Sequence, residues 1–143
     1  MGVDVKVQKT HPRHDFWVSY SFGKVLEKFE PYNHYRRAPH DQTHEWKGVA
    51  ILNRHPWFFS CSYIYGSGLY LNALGQNPYT RLDVAIRFDF NFLQGKTSTG
   101  LSVTNLLNAK NIGALGISNV PNQNTIFLRE VARTTRVFFK WAF

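Results

Sequence analysis

The sequence lacks any apolar run approaching the roughly 20 residues that a bilayer-crossing helix needs, although 43% of its 143 residues are hydrophobic. A membrane-spanning helix is therefore excluded. The opening residues, MGVDVKVQKT, also lack the apolar core of a signal peptide. We therefore expect that export is not encoded in this stretch and that the chain is one part of a larger protein.

Cysteine and acidic residues are also scarce. Cys61 is the single cysteine, which excludes an intramolecular disulfide framework, and we interpret it as a small apolar residue. Nine Asp and Glu face 17 Lys and Arg, so the formal net charge is +8. Such a charge permits binding to a polyanion, but the basic residues are spread through the chain. We therefore predict no nucleic-acid partner.

Signatures of catalysis and of metal binding are missing too. No nucleophile motif of the G-x-S-x-G type occurs, so we predict no catalytic residues and no enzyme. His40 and His44 flank Asp41 in HDQTH, and histidines at this spacing bind metals when they share a helical face. In an extended segment they lie apart and no third ligand is evident, so we predict neither a metal site nor a cofactor.

Aromatic residues, in contrast, are abundant at 16% of the chain, and they recur with a period of two. The clearest case is the segment RLDVAIRFDFNF. Side chains alternate across a β-strand, so this period predicts one apolar and one polar face. The apolar parity holds Leu82, Val84, Ile86, Phe88, Phe90 and Phe92, and the polar parity holds Arg81, Asp83, Ala85, Arg87, Asp89 and Asn91.

Similar periodicity predicts seven strands and no helix along residues 1–143. Short turns at 10–14, 53–56 and 93–96 alternate with long loops at 27–42, 66–78 and 108–124. In bacterial outer-membrane barrels the short turns are periplasmic and the long loops extracellular, and strands of about ten residues cross the bilayer. We therefore predict an all-β fold: an antiparallel up-and-down transmembrane β-barrel portion of about seven strands, with Phe143 at the periplasmic end.

The chain also resembles a known family. The segments GVDVKVQK, WVSYSFGK, APHDQTHEWKG, YIYGSG, YTRLDVAIRFDF and LSVTNLLNAKN, followed by a terminal aromatic residue, are similar in order to the C-terminal end of TonB-dependent outer-membrane receptors of the Bacteroidota type. The most specific pieces are the RLDV strand and the SVTNLLNAKN segment that follows it.

This resemblance implies a transporter in the outer membrane of a Gram-negative bacterium. The complete receptor would have a barrel of about 22 strands, closed by a plug and energised through the TonB system, and it would import a siderophore or another large nutrient. The plug, the TonB-contacting segment and most of the strands are missing from this sequence. We therefore expect a partial receptor, with the TonB system and the plug as partners only in the complete protein.

Two groups of residues are candidate ligand contacts. Tyr32, Tyr35, Arg36 and Arg37 lie in the first long loop, where they could hold an anionic or sugar ligand, or face lipopolysaccharide or water. A second group lies on the predicted lumen face and could line a substrate path, touch the plug, or form cross-strand ion pairs. This group comprises Arg81, Asp83, Arg87 and Asp89.

The final strand has the strongest functional claim. Its alternating apolar residues end at the chain terminus, which in the resembled family is recognised by the barrel-assembly machinery. The same residues also suit contact with outer-membrane lipid as part of an aromatic girdle. They are Val137, Phe139, Trp141 and Phe143.

One alternative remains open from the sequence. A soluble all-β binding module could use the +8 charge to hold an anionic ligand. It predicts a small closed barrel with Leu82, Ile86, Phe88 and Phe90 buried in its interior.

Overall fold

The computed structural model describes residues 1–28, 34–38, 41–68, 78–116, 126–130 and 132–143. These residues form strands and connections, without a helix. The strands are β1 (Gly2–His11), β2 (His14–Gly23), β3 (Leu26–Glu27), β4 (Arg36–Arg37), β5 (His44–Arg54), β6 (Trp57–Gly66), β7 (Tyr79–Phe92), β8 (Gly95–Thr104), β9 (Ile112–Gly116), β10 (Ile126–Arg129) and β11 (Thr134–Ala142).

Seven of these strands form one sheet in the order β1-β2-β5-β6-β7-β8-β11. Every neighbouring pair is antiparallel, so the chain runs up and down across the sheet. The predicted all-β, antiparallel, seven-stranded arrangement is confirmed. In the described residues β1 and β11 are the two edges of the sheet and do not pair with each other.

The register gives the sheet two chemically different faces. Ladder partners join Ala50 to Cys61, Cys61 to Val84 and Val84 to Val103, whereas the next row joins Ser62 to Asp83. We call the first side the apolar face. Its large side chains include Val3, Val5, Val7, Phe16, Val18, Tyr20, Phe22, Trp46, Leu52, Trp57, Phe59, Tyr63, Tyr65, Leu82, Val84, Ile86, Phe88, Phe90, Phe92, Leu101, Val103, Val137, Phe139 and Trp141.

The opposite side, which we call the polar face, carries most of the charged and hydroxyl groups of the sheet. On β7 these are Arg81, Asp83, Arg87 and Asp89, and the flanking strands contribute serines. Those serines are Ser60, Ser62, Ser98 and Ser102.

No described segment of the chain covers the apolar face as a second layer. Among the described residues the only buried hydrophobic side chain is Ala38, which lies outside the sheet. The accessible surface is 10871 Å², whereas a compact soluble protein of this mass exposes about 7,600 Å². The sheet therefore has no conventional core. The soluble alternative was wrong on this point, because the four side chains that it expected to be buried are all partly exposed.

The hairpin turns are offset from one another along the strands. Leu52 pairs with His14, which adjoins the first turn, and β5 continues two residues further to Arg54. Arg54 pairs with Trp57, and Trp57 pairs with Phe88, so Phe88 lies level with Arg54. From there β7 continues four residues further to Phe92. The total offset is six residues, or about 20 Å, over four strand spacings of about 4.8 Å each. The strands therefore make an angle of about 45° with the line that joins the turns, and the same angle with the perpendicular to that line, which corresponds to the axis of a barrel.

The three short connections are tighter than predicted. They consist of Pro12 and Arg13, His55 and Pro56, and the residue pair 93–94. Leu93 and Gln94 have positive φ angles of 46° and 63°, as a two-residue hairpin turn of the primed type requires. Gly95 already belongs to β8, so the predicted turn at 93–96 was too long.

The first and third long connections, at the end of the sheet opposite the short turns, contain strands that the sequence did not predict. β3 pairs with β4 in the first loop, and β9 pairs with β10 in the third. The expectation that the third connection is irregular was therefore wrong in part. Phe143 follows β11 at the end of the sheet that bears the short turns.

Candidate functional site

The charged residues of β7 form ion pairs along the strand. Arg81 Nη2 lies 2.9 Å from Asp83 Oδ2, and Arg87 Nε lies 3.1 Å from Asp89 Oδ1. Residues two apart on a strand share a face, so each guanidinium lies next to the carboxylate that neutralises it. These two pairs run along β7, because Ser62 and Ser98 stand opposite the two aspartates on the neighbouring strands.

The two ion pairs have different surroundings. The guanidinium carbon of Arg87 lies 4.8 Å from the ring centroid of Phe58, which combines charge with an aromatic surface on the polar face. Asp83 instead accepts a hydrogen bond of 2.8 Å from the backbone N–H of Asn105. The Arg81 pair therefore has a structural partner, whereas the Arg87 pair is the stronger candidate for contact with a solute.

The asparagine-rich segment after β8 is attached to the long-loop end of β7. Leu106 N–H donates to the Leu82 carbonyl at 2.7 Å. The Asn105 side chain bonds both to the backbone N–H and to the carbonyl of Ala109, each at 3.0 Å. Asn105 is fully buried, so these bonds satisfy its amide group. The SVTNLLNAKN segment thus folds back against the strand that precedes β8.

Asn111 completes this attachment, because its side-chain amide forms the two hydrogen bonds with the Thr80 backbone that a neighbouring strand would form. Its side-chain oxygen accepts from Thr80 N–H at 3.0 Å, and its amide nitrogen donates to the Thr80 carbonyl at 2.8 Å. Nearby, Tyr79 Oη donates to Glu130 Oε2 at 2.7 Å. The sequence reading did not identify Asn111 or Glu130. The one sequence feature that pointed to this contact was the order of the RLDV strand and the asparagine-rich segment.

The structure describes three of the four candidate ligand residues of the first long loop. Tyr32 lies outside the described residues. Tyr35 is 70% exposed, and Lys28 Nζ lies 6.0 Å from the centre of its ring. Arg36 pairs with Glu27 at 3.5 Å, whereas Arg37 pairs with Asp41. Two different carboxylates therefore engage the arginines, and contact of these residues with a ligand stays a prediction.

Asp41 is the most buried charged group near this loop, with 1% of its surface exposed. Burial opposes its ionisation, but hydrogen bonds from the Arg37 guanidinium, Val25 N–H and the Thr43 hydroxyl prevail and lower its pKa. The bond from Val25 is 2.7 Å long. We call these four residues the Asp41 cluster, and it ties the two ends of the first long loop together.

The side chains of the final strand alternate between the two faces of the sheet as predicted. Val137, Phe139 and Trp141 lie on the apolar face and are 75%, 63% and 44% exposed. The Trp141 indole N–H donates to the Phe92 carbonyl at 3.2 Å, and its ring lies 5.1 Å from that of Phe143. The four predicted residues therefore form an uncovered apolar edge of the sheet.

The histidine and cysteine candidates occupy ordinary positions. His40 lies outside the described residues, and His44 Nδ1 is 2.8 Å from the hydroxyl oxygen of Tyr20. Across the described ranges, no group of three or more His, Cys, Asp or Glu residues could hold a metal ion. Cys61 is unpaired with another cysteine and lies on the apolar face.

Comparisons with known proteins identify no relative. Family models, curated proteins and solved structures gave no match to this chain. The described part of the chain contains no helix that is long and apolar enough to cross a membrane.

Proposed function

We propose that this chain is the C-terminal barrel portion of a TonB-dependent receptor in the outer membrane of a Gram-negative bacterium. In the complete protein it forms part of the wall through which a siderophore or another large nutrient is taken up. The observation that carries the proposal is the uncovered apolar face. Seven strands present large apolar side chains on one side, and Ala38 is the only buried hydrophobic residue among those described.

Lipid is the solvent that suits this face. In water, an apolar patch spanning seven strands drives association or aggregation. In a bilayer the same side chains meet acyl chains, while the ion pairs and serines of the opposite face meet water. β6 carries aromatic rings at both ends around a smaller central residue: Trp57 and Phe59 precede Cys61, and Tyr63 and Tyr65 follow it.

The inclination of the strands supports the same conclusion. Barrel closure requires tilts of about 35–45°, and the offset of the turns corresponds to about 45°. A ten-residue strand rises about 33 Å along its axis, so at this inclination it spans about 23 Å. This span is close to the apolar band of about 25 Å in outer-membrane barrels.

The polar face supports a role as the wall of a lumen. Arg87, Asp89 and the ring of Phe58 present charge, hydrogen-bonding groups and an aromatic surface to that side. This combination suits a water-filled path along which polar solutes or a plug make reversible contacts. Tyr35 and the first long loop would then lie on the extracellular side, facing lipopolysaccharide or arriving ligand.

The edges of the sheet require further strands. Unpaired backbone groups in lipid each cost several kcal/mol, so β1 and β11 need partners in the complete barrel. The exposed apolar residues of β11 and Phe143 then serve recognition by the barrel-assembly machinery before closure and contact with lipid after it.

Separation of native inner and outer membranes tests the location. We expect the protein in the outer-membrane fraction and resistant to extraction by alkaline carbonate. A soluble, monomeric protein in the cytosol would contradict the proposal. The transport role is tested by uptake of a labelled siderophore in cells with and without the intact protein, and by repeating the assay after loss of the TonB system.

A further inference from the structure

A shallow groove crosses the apolar face over β1, β2, β5 and β6. It has a volume of about 390 Å³ and contains the small residues Gly48 and Ala50. These residues occupy successive apolar-face positions of β5, with larger side chains on both sides of them. The larger side chains are Val7, Phe16, Val18 and Tyr63. The groove is therefore mostly apolar, and it lies over the two smallest apolar-face residues of β5.

Basic side chains cluster at the short-turn end of this groove. Lys9 is part of its lining, and Phe16 is the ladder partner of Lys9. His11 and His14 follow on the same face, with their rings stacked 4.6 Å apart. Arg54 lies at the end of β5 and pairs with Trp57. We call Lys9, His11, His14 and Arg54 the basic cluster.

The basic cluster is not balanced by acidic residues on its own face. Along the seven strands of the sheet, the apolar-face positions hold no Asp or Glu. Asp15, the nearest acidic residue in sequence, belongs to the polar face and accepts a hydrogen bond from Thr10. The cluster is therefore an uncompensated positive patch beside an apolar groove.

The offset of the turns sets the depth of the basic cluster. Lys9 lies two residues before the end of β1, and Arg54 is the last residue of β5. Along the line through the turns the cluster therefore lies at one boundary of the apolar band. On β6, β7 and β11 that same boundary carries aromatic residues instead, so the positive charge is confined to one part of the sheet.

We propose that this groove and the basic cluster bind one anionic phospholipid, with an acyl chain in the groove and the headgroup phosphate at Lys9, which lines the groove. Arg54 lies two strands away and four residues further along β5, and it adds to the positive potential at that end of the groove. The proposal rests on the membrane location proposed above. Charge complementarity selects the headgroup, because Lys and Arg near a membrane surface attract anionic lipids. The apolar groove distinguishes a lipid from a free anion.

Lipid-selective fluorescence quenching tests this site in the full chain. Trp57, the ladder partner of Arg54, is kept as the single tryptophan by changing every other tryptophan of the complete protein to Phe. The complete barrel, in which β1 and β11 have partner strands, is inserted into phosphatidylcholine vesicles that contain a small fraction of brominated phosphatidylglycerol or of brominated phosphatidylcholine. We expect phosphatidylglycerol to quench Trp57 at a lower fraction of total lipid, and high salt to reduce this difference.

Two charge variants identify the origin of the selectivity. The change Lys9→Gln with Arg54→Gln should lower the relative affinity for phosphatidylglycerol by about five-fold for each charge removed. The matched control, Lys96→Gln with Lys140→Gln, removes two charges near the same end of the polar face and should leave the affinity unchanged. Filling the groove with Ala50→Leu should also weaken quenching by phosphatidylglycerol.

The outcomes separate this inference from the proposed function. Equal quenching by the two lipids, or equal losses in both charge variants, would overturn the lipid site alone. Complete relief of quenching by soluble glycerol phosphate would overturn it as well, because the groove would then be unnecessary. If neither brominated lipid quenches Trp57, the apolar face does not contact the bilayer, and both proposals are wrong.

Discussion

The two faces of β7 allow a direct energetic test with neighbouring residues. Val84 lies on the apolar face, with Cys61 and Val103 as ladder partners. Ala85 lies on the polar face between Ser60 and Ser102. Replacing each with lysine introduces the same side chain and the same charge at adjacent positions, one on each face of the sheet.

The expected difference between these variants is large. Val84 is five residues from Tyr79 and eight from Phe92, the two ends of β7, so it lies well inside the strand. A lysine near the bilayer midplane on the lipid side of a barrel destabilises it by about 2–4 kcal/mol. A surface substitution away from special contacts changes stability by about 0.5 kcal/mol or less. We therefore expect Val84→Lys to be about 3 kcal/mol less stable than Ala85→Lys.

Urea unfolding of the complete barrel proposed above, inserted in vesicles and followed by tryptophan fluorescence, measures this difference. With a slope of about 2 kcal/mol per molar urea, 3 kcal/mol corresponds to a midpoint shift of about 1.5 M. Equal midpoints for the two variants would refute the reasoning, because both faces would then meet the same solvent. A larger loss for Ala85→Lys would indicate that the two faces are reversed.

Three further changes test individual contacts. Thr97 is buried and its hydroxyl has no hydrogen-bond partner. Thr97→Val should therefore leave the free energy of unfolding unchanged or raise it. A urea midpoint lowered by more than experimental error would contradict this prediction. Asn111→Ala removes both side-chain hydrogen bonds to Thr80 and should destabilise the attachment of the asparagine-rich segment to β7 by about 2–3 kcal/mol. Hydrogen exchange at the Thr80 amide should then be faster, and unchanged exchange would contradict this prediction. Because folding lowers the pKa of Asp41, the stabilisation by its carboxylate is fully present above the ordinary pKa of 3.8 and is lost as the pH falls through the folded-state pKa. Asp41→Asn should remove this pH dependence from hydrogen exchange at the Val25 amide, which donates to Asp41. An unaltered pH profile of exchange in this variant would contradict the prediction.

Strand periodicity predicted most of the sheet because each face meets a different environment. The alternation from Leu82 to Phe92 needed no knowledge of neighbouring strands, since hydrophobicity alone assigns each side chain to a face. The structure extends this strand back to Tyr79. β5 was harder to recognise, because Gly48 and Ala50 weaken its apolar signal while forming the floor of the groove.

The attachments of the long loops could not be predicted in the same way. Asn111 is recognisable as a polar loop residue, but its bonds to Thr80 join positions 31 residues apart in sequence. Asp41 appeared only as the residue between two histidines, whereas its partners Val25 and Arg37 come together through the β3–β4 pairing. Such contacts depend on how the loops fold back, which residue patterns do not specify.

The single cysteine provides the most direct test of the central claim. Cys61 lies in the middle of β6 on the apolar face, and the next residue, Ser62, lies on the polar face. A bimane label on Cys61 in vesicles should be quenched by a nitroxide on the lipid acyl chains and protected from iodide in the water. The same label on Ser62→Cys, made together with Cys61→Ser, should show the opposite pattern. Iodide quenching at Cys61 without quenching by the lipid nitroxide would contradict the assignment of this face to the membrane.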